Sequence, residues 1–219
     1  VRSIHQIEIT SRCNLRCKYC VHPKMPRAKL DISEETFDRS LYWVRRFCAE
    51  GLQGHELNLC GIGESTLHPM FNDFVLRARL SVGPCRDLIL ATNGIGVTEQ
   101  QIDAMRTANV RVWVSLHRPE AATNTVNMLR RYDLLAGVST DPATAGVDWA
   151  GQVKWETTAR SDIPCPWLLR QQAFVMADGN IGTCCFDGAG TGVLGTVWDD
   201  VAAMKSIPYN LCEACHHVY

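Results

Sequence analysis

Cys13-Asn14-Leu15-Arg16-Cys17-Lys18-Tyr19-Cys20 sets three thiols within eight residues at the spacing CxxxCxxC. Thiolates this close in sequence can wrap around one small metal centre. A 4Fe-4S cluster takes a thiolate on each iron, so three cysteines leave one iron open to an outside ligand. Zinc favours CxxC pairs and four protein ligands, which a tight group of three does not supply. Zinc and simply buried thiols are the competing readings of the stretch.

Outward from this loop the chain alternates strand and helix. Ile4 to Ile9 mixes apolar and polar residues with β-branched content and reads as a strand entering the cysteine loop. The carboxyl end of a first strand is where parallel α/β folds put their chemistry. Ser33 is an N-cap, Glu34 and Glu35 suit a first turn, and Phe37, Leu41, Val44 and Cys48 recur at helical spacing until Gly51. A second strand, 56–60, runs into Gly61-Ile62-Gly63-Glu64, and Pro69 opens the next helix. A third, 88–92, ends in Asn93-Gly94, with Thr98 and Gln101 forming a capping-box pattern beyond it. The fourth, 110–115, is followed by His117 and a helix from Pro119. Two shorter strands are expected at 134–139 and 152–157, with no helix-length segment between them. The alternation predicts an α/β fold: a parallel sheet curved into a partial barrel, trimmed at its end, whose strand ends share one rim.

The 219 residues suffice for one large domain or one and a half. A formal net charge of -1 supplies no global field for nucleic acid or membrane. Arg12, Arg16, Lys18, Lys24, Arg27 and Lys29 follow one another with no acid between them; they offset a thiolate-bound cluster, meet solvent, or hold a phosphate-bearing partner. No apolar run is long enough to span a bilayer and no signal peptide precedes the first strand, so a cytoplasmic location is expected. Eleven cysteines in metal-like groups suit a reducing compartment better than a disulfide framework.

From about Ile163 the texture changes. Glycines cluster between Gly188 and Gly195, Asp178-Gly179 marks a hairpin turn between Ala173–Met176 and Ile181–Phe186, and cysteines gather again. A barrel over 1–160 and a small module over 161–219 are expected. Cys165, Cys184, Cys212 and Cys215 would close a 4Fe-4S cluster completely, the rival being a zinc knuckle. Cys60, Cys85 and Cys185 are left over. Cys60 at the rim and Cys185 beside a ligand are candidate hydrogen-atom donors, and Cys185 could replace Cys184 as ligand.

The first cysteine stretch closely resembles the CxxxCxΦC signature of the radical S-adenosylmethionine (SAM) enzymes, with Tyr19 as the aromatic. Gly61-Ile62-Gly63-Glu64 looks like that family's GGEP motif, with Ser65 where proline is usual. Thr92-Asn93-Gly94 and the Ser115-x-His117 ending resemble its ribose- and carboxylate-binding strand ends. The last cysteines resemble a SPASM domain shortened to the single-cluster twitch form, since the chain runs only to Tyr219. The resemblance implies that Cys13, Cys17 and Cys20 hold a 4Fe-4S cluster, that Tyr19, Gly61, Gly63, Glu64, Asn93, Ser115 and His117 bind SAM, and that the four later cysteines hold a second 4Fe-4S cluster. It implies reductive cleavage of SAM to a 5'-deoxyadenosyl radical that takes a hydrogen atom from a small polar substrate, and a reducing partner such as flavodoxin or ferredoxin. The layout is similar to small aminocyclitol dehydrogenases, which points to oxidation of a sugar- or aminocyclitol-like carbinol with the second cluster as electron acceptor. Epimerisation or isomerisation of a sugar, amino acid, peptide or modified nucleotide is the rival within the class. Against a peptide stands the lack of an extra domain to hold a leader sequence. A zinc-dependent nucleic-acid-binding module is the rival outside it. Glu156 and Arg160 are rim residues that reach a substrate or face solvent.

Overall fold

The computed structural model describes residues 1–84, 86–139, 148–154 and 162–218. Strand β1 (Ser3–Ile7) leads through the cysteine loop to helix α1 (Glu34–Ala49). Ser33 caps α1 by accepting from the Thr36 N–H, and Gly51 at φ +70° turns the chain away after it. Next come β2 (Glu56–Asn58), α2 (Phe71–Val82), β3 (Asp87–Thr92), α3 (Glu99–Thr107), β4 (Val110–Ser115), α4 (Pro119–Arg131) and β5 (Leu135–Ser139). The Thr98–Gln101 capping box is formed in both directions. Beyond β5 lie a single helical turn, α5 (Pro166–Leu169), and three strands, β6 (Gln172–Val175), β7 (Asn180–Gly182) and β8 (Val193–Thr196), followed by a second short turn of helix, α6 (Asn210–Glu213).

The eight strands of the described residues form one sheet in the order β5-β4-β3-β2-β1-β6-β7-β8. β1 to β5 pair in parallel, as helical crossovers require, and β6 adds in parallel on the free edge of β1 through Ile4↔Ala173 and Ile7↔Val175. β7 and β8 continue antiparallel, with Gly179 at φ +87° making the turn after β6.

The strand expected at 152–157 is not one where it is described. Residues 149–152 form turns that lead into a bend at Val153, and 155–161 lie outside the described residues together with Cys85, Glu156, Arg160 and the expected division at 160. The sixth parallel strand is β6, read from sequence only as half of a hairpin. A hairpin pattern sets the local partner β7; it carries no mark of the distant partner β1.

The core lies between the sheet and its helices. Ile4, Ile7, Leu57, Leu88, Leu90, Val112 and Val114 face Phe37, Leu41, Phe74, Ala78 and Ile102, all buried in one cluster, and Phe37 stacks on Phe74 with ring centroids 4.0 Å apart. Burying each such side chain contributes about 1.5–3 kcal/mol. The alternation along β4, where Val110, Val112 and Val114 are buried and Arg111 and Trp113 exposed, shows that helices cover one face of this part of the sheet. The last strands are tied to α1: Trp43 Nε1 donates to the Val197 carbonyl at 2.8 Å and Arg39 Nε to the same oxygen at 2.9 Å.

Candidate active site

At the carboxyl ends of the parallel strands lies a cavity of about 320 Å³. Cys13, Cys17 and Cys20 line it, and so do Tyr19, Gly61, Gly63, Glu64, Asn93, Ser115 and His117. The structure thus brings together every residue expected at the first site. The cysteine loop comes from β1, the glycine turn from β2, Asn93 from β3, and Ser115 and His117 from β4, so parallel pairing alone sets four loops side by side.

The loops lock to one another. Gly63 passes so close to the cysteine loop that a Cβ there would lie 2.3 Å from the Thr10 carbonyl oxygen, while Glu64 N–H donates to the Arg12 carbonyl at 2.7 Å. A Cβ on Gly61 would strike the Glu8 side chain at 2.4 Å. The resemblance implied that these glycines bind SAM; the close approach they permit here is to the chain's own first strand end. Glu8 itself is buried, paired with Arg27 at 2.9 Å, and accepts from Ile62 N–H at 3.0 Å and Ala177 N–H at 3.2 Å. Arg12 pairs with Asp31 at 2.5 Å, so two of the six basic residues near the loop are engaged by acids from within the fold.

Glu64 is buried and works as a brace. Its Oε1 accepts from Thr66 Oγ1 at 2.8 Å, Thr66 N–H at 3.3 Å and Thr92 Oγ1 at 2.7 Å, and its Oε2 from Asn93 N–H at 2.7 Å. Burial pushes its carboxyl pKa up, and these donors work against that shift. A carboxylate offers about four acceptor sites, so Oε2 keeps capacity for one more donor from the cavity. Asn93 Nδ2 donates to Asn14 Oδ1 at 2.8 Å, tying the third strand end to the cysteine loop. The Tyr19 hydroxyl meets His117 Nδ1 at 2.6 Å. Burial lowers the His117 pKa, so the ring is neutral at pH 7 and the tyrosine donates.

The three thiols suit a cluster. Leu15 N–H donates to Cys13 Sγ and His22 N–H to Cys20 Sγ, each at 3.4 Å. Burial, with the neighbouring thiols, raises the Cys13 pKa and pushes Cys20 up to about 11. Thiolates crowded in a buried site require compensating positive charge, which bound iron supplies. Among the described residues no group of three or more His, Cys, Asp or Glu is arranged to hold a single metal ion.

A second cavity is lined by Cys165, Cys184, Cys212 and Cys215 together with Thr183. Phe186 N–H donates to Cys184 Sγ at 3.4 Å. Of the two adjacent cysteines, Cys184 faces this cavity, and Cys185 lines a separate small one with Glu8, Arg27 and Ile62 that Cys184 also borders. A hydrogen bond from Cys185 lowers the Cys184 pKa, while Cys184 and burial together keep the Cys185 thiol protonated. Thr183 lines this cavity and is buried, and among the described residues its Oγ1 has no hydrogen-bond partner, an orphaned donor beside a space that four thiolates and a cluster's sulfides would fill with acceptors. The residues present therefore fit a closed 4Fe-4S cluster.

Sequence reasoning missed Trp149 and Phe186. Trp149 Nε1 donates to the Tyr19 carbonyl at 2.9 Å, and Phe186 borders both cavities. Neither lies in a motif, and only the position of Phe186 two residues after a cysteine hinted at it. Cys60 lines the first cavity, and burial pushes its pKa up to about 12.

Residues 7–158 match the family model described as "Radical SAM superfamily", and the chain belongs to that superfamily. Among curated proteins it is 30% identical over 142 residues to the tungsten-containing aldehyde ferredoxin oxidoreductase cofactor-modifying protein of Pyrococcus furiosus (62% of this chain, 35% of that protein), and 31% identical over 130 residues to the GTP 3',8-cyclase of Aquifex aeolicus (56% and 38%). The chain thus spans little more than a third of these relatives. Among solved structures it is similar in fold to BtrN in complex with AdoMet and 2-DOIA, with a TM-score of 0.73 at 17% identity, covering 92% of this chain and 80% of that one. It is also similar to anSMEcpe with bound AdoMet and Cp18Cys peptide, with a TM-score of 0.61 at 13% identity, covering 91% and 78%. The mixed α/β sheet is that of radical SAM barrels.

Proposed function

We propose that this radical SAM enzyme abstracts a hydrogen atom from a carbinol carbon of a small sugar- or aminocyclitol-like substrate and oxidises it to the carbonyl, with residues 161–219 acting as a twitch-type module for a second 4Fe-4S cluster. The observation that carries this reading is that Phe186 is a shared wall of two cavities, one lined by the three cysteines of the CxxxCxxC loop and by Cys60, the other by Cys165, Cys184, Cys212 and Cys215. When bound, the first cluster with SAM supplies the hydrogen-abstracting 5'-deoxyadenosyl radical, and the second cluster an acceptor for the electron left on the substrate. Cys13, Cys17 and Cys20 would hold the first cluster, and Cys165, Cys184, Cys212 and Cys215 the second. Glu64 and the Asn93–Asn14 contact keep the rim rigid, Ser115 and neutral His117 offer polar contacts to SAM, and Trp149 and Phe186 form the apolar part of the wall and exclude water. Flavodoxin or ferredoxin would be the electron donor, in the cytoplasm. Among the described residues no helix is long and apolar enough to cross a membrane.

A second reading, epimerisation, is favoured by one observation. Cys60 lines the first cavity as a protonated thiol, suited to return a hydrogen atom to a substrate radical and leave a thiyl radical that an electron from the reducing partner and a proton from solvent restore, whereas Cys185 lines a different cavity. Turnover of aminocyclitols deuterated at the carbinol carbon separates the two. Either reaction puts deuterium into 5'-deoxyadenosine, and oxidation gives a carbonyl product. Epimerisation in deuterated water gives an unoxidised product carrying solvent deuterium and stops in Cys60→Ala. Deuterium in neither place overturns both.

A further inference from the structure

We propose that Thr183 donates a hydrogen bond from Oγ1 to a sulfur of the second cluster and thereby raises its reduction potential. The inference rests on the four-cysteine cavity holding a 4Fe-4S cluster. Thr183 follows directly on β7, and its N–H donates to the Gly192 carbonyl at 3.1 Å, which fixes the residue where the strand ends. It is 3% exposed, its hydroxyl has no hydrogen-bond partner among the described residues, and it lines the cavity that Cys165, Cys184, Cys212 and Cys215 line.

A buried hydroxyl without a partner costs free energy, and a threonine carries one O–H donor. Thiolate and sulfide sulfurs are acceptors only, so a cluster here would satisfy that donor. The reduced cluster is one charge more negative than the oxidised one, so a donor to its sulfur stabilises the reduced state more. The effect suits a cluster that has to take an electron from substrate. It also gives an apolar-walled cavity a polar contact that the four cysteines do not themselves provide.

The test uses the full chain, reconstituted anaerobically, with iron counted before potentials are measured. The potential is read by redox titration followed by electron paramagnetic resonance with SAM present, since SAM alters only the cluster with an open iron. Thr183→Val keeps the shape and removes the donor; Thr183→Ser keeps the donor. With about eight irons bound, Thr183→Val is expected to lower the potential of the second cluster by roughly tenfold in the redox equilibrium, about 59 mV for one electron, and Thr183→Ser to stay near the wild type. Eight irons with an unmoved potential in Thr183→Val, or an equal shift in Thr183→Ser, overturns the inference and leaves the cluster assignment standing. Loss of the second cluster's iron in Thr183→Val but not in Thr183→Ser supports the contact, and loss in both overturns it. Wild-type protein holding only about four irons overturns the cluster assignment and the inference with it.

Discussion

The two cysteine cavities are assembled by opposite routes. The first takes its three clustered thiols from one short loop, and Cys60 and its remaining polar groups from the ends of three neighbouring parallel strands. The second gathers four thiols from α5's start, the chain after β7 and the segment around α6, where local structure is sparse: α5 and α6 are four residues each. The parallel sheet can hold the first site in shape by itself. The second depends on what it encloses, because a bound cluster would tie Cys165 to Cys215 and so contribute to folding. The same contrast separates chemistry. Three thiolates leave an iron for SAM, and four leave none.

Replacing Cys13, Cys17 and Cys20 together by alanine should give the largest effect. Iron should fall from about eight to about four per chain, with the sheet intact by circular dichroism. A fall to none would show that the second site depends on the first.

Cys212→Ala with Cys215→Ala should be nearly as severe for substrate but milder for SAM. Conversion of substrate should stop, while some 5'-deoxyadenosine still forms in protein whose circular dichroism stays native-like. Turnover of substrate at the wild-type rate in that folded variant would make the second cluster structural and favour the Cys60 reading.

A smaller effect is expected at the brace. Glu64→Gln removes the charge and sets an amide NH2, a donor, against either the Thr92 and Thr66 hydroxyls or the Asn93 N–H. Hydrogen bonds to charged groups contribute about 1.5–3 kcal/mol, so SAM affinity by calorimetry should weaken by about tenfold or more. Unchanged affinity would mean that the rim holds without it.

Much of the first site was legible because it depends on short-range rules. The cap at Ser33, the box at Thr98 and Gln101 and the strand from Val110 to Ser115 lie where propensity and spacing put them, and in a parallel sheet those bounds decide which residues reach the rim. The hairpin of β6 with β7 was legible, but the pairing of β6 with β1 was not, because β1 is about 170 residues away, a distance at which local pattern carries no pairing information. Trp149 and Phe186 were illegible for the same reason. Each matters through contact with a distant loop, Trp149 with Tyr19 and Phe186 with both cavities. The role of Glu64 was half legible: GxGE marked the residue, but Thr66, Thr92 and Asn93 as its donors emerge only from the folded rim.

The smallest effect is expected at Tyr19 and His117. Tyr19→Phe removes one neutral hydrogen bond worth about 0.5–1.5 kcal/mol, a few-fold in SAM affinity. Burial holds the His117 pKa below the usual 6.5. The unfolded chain therefore takes up this proton first as pH falls, and the contribution of neutral His117 to stability, intact above pH 6.5, is lost as pH drops through the lowered value. Protonated His117 cannot accept from Tyr19, so SAM affinity should fall over the same acid window in the wild type and less in Tyr19→Phe.

Formation of 5'-deoxyadenosine tests the open iron most directly. Anaerobically reconstituted, reduced wild-type protein should cleave SAM to 5'-deoxyadenosine and methionine, and the Cys13, Cys17 and Cys20 triple alanine variant, still holding about four irons, should form none. Equal formation by the two proteins, or a wild type that binds iron yet leaves SAM intact, would contradict the assignment of the three-cysteine loop as the site of radical generation.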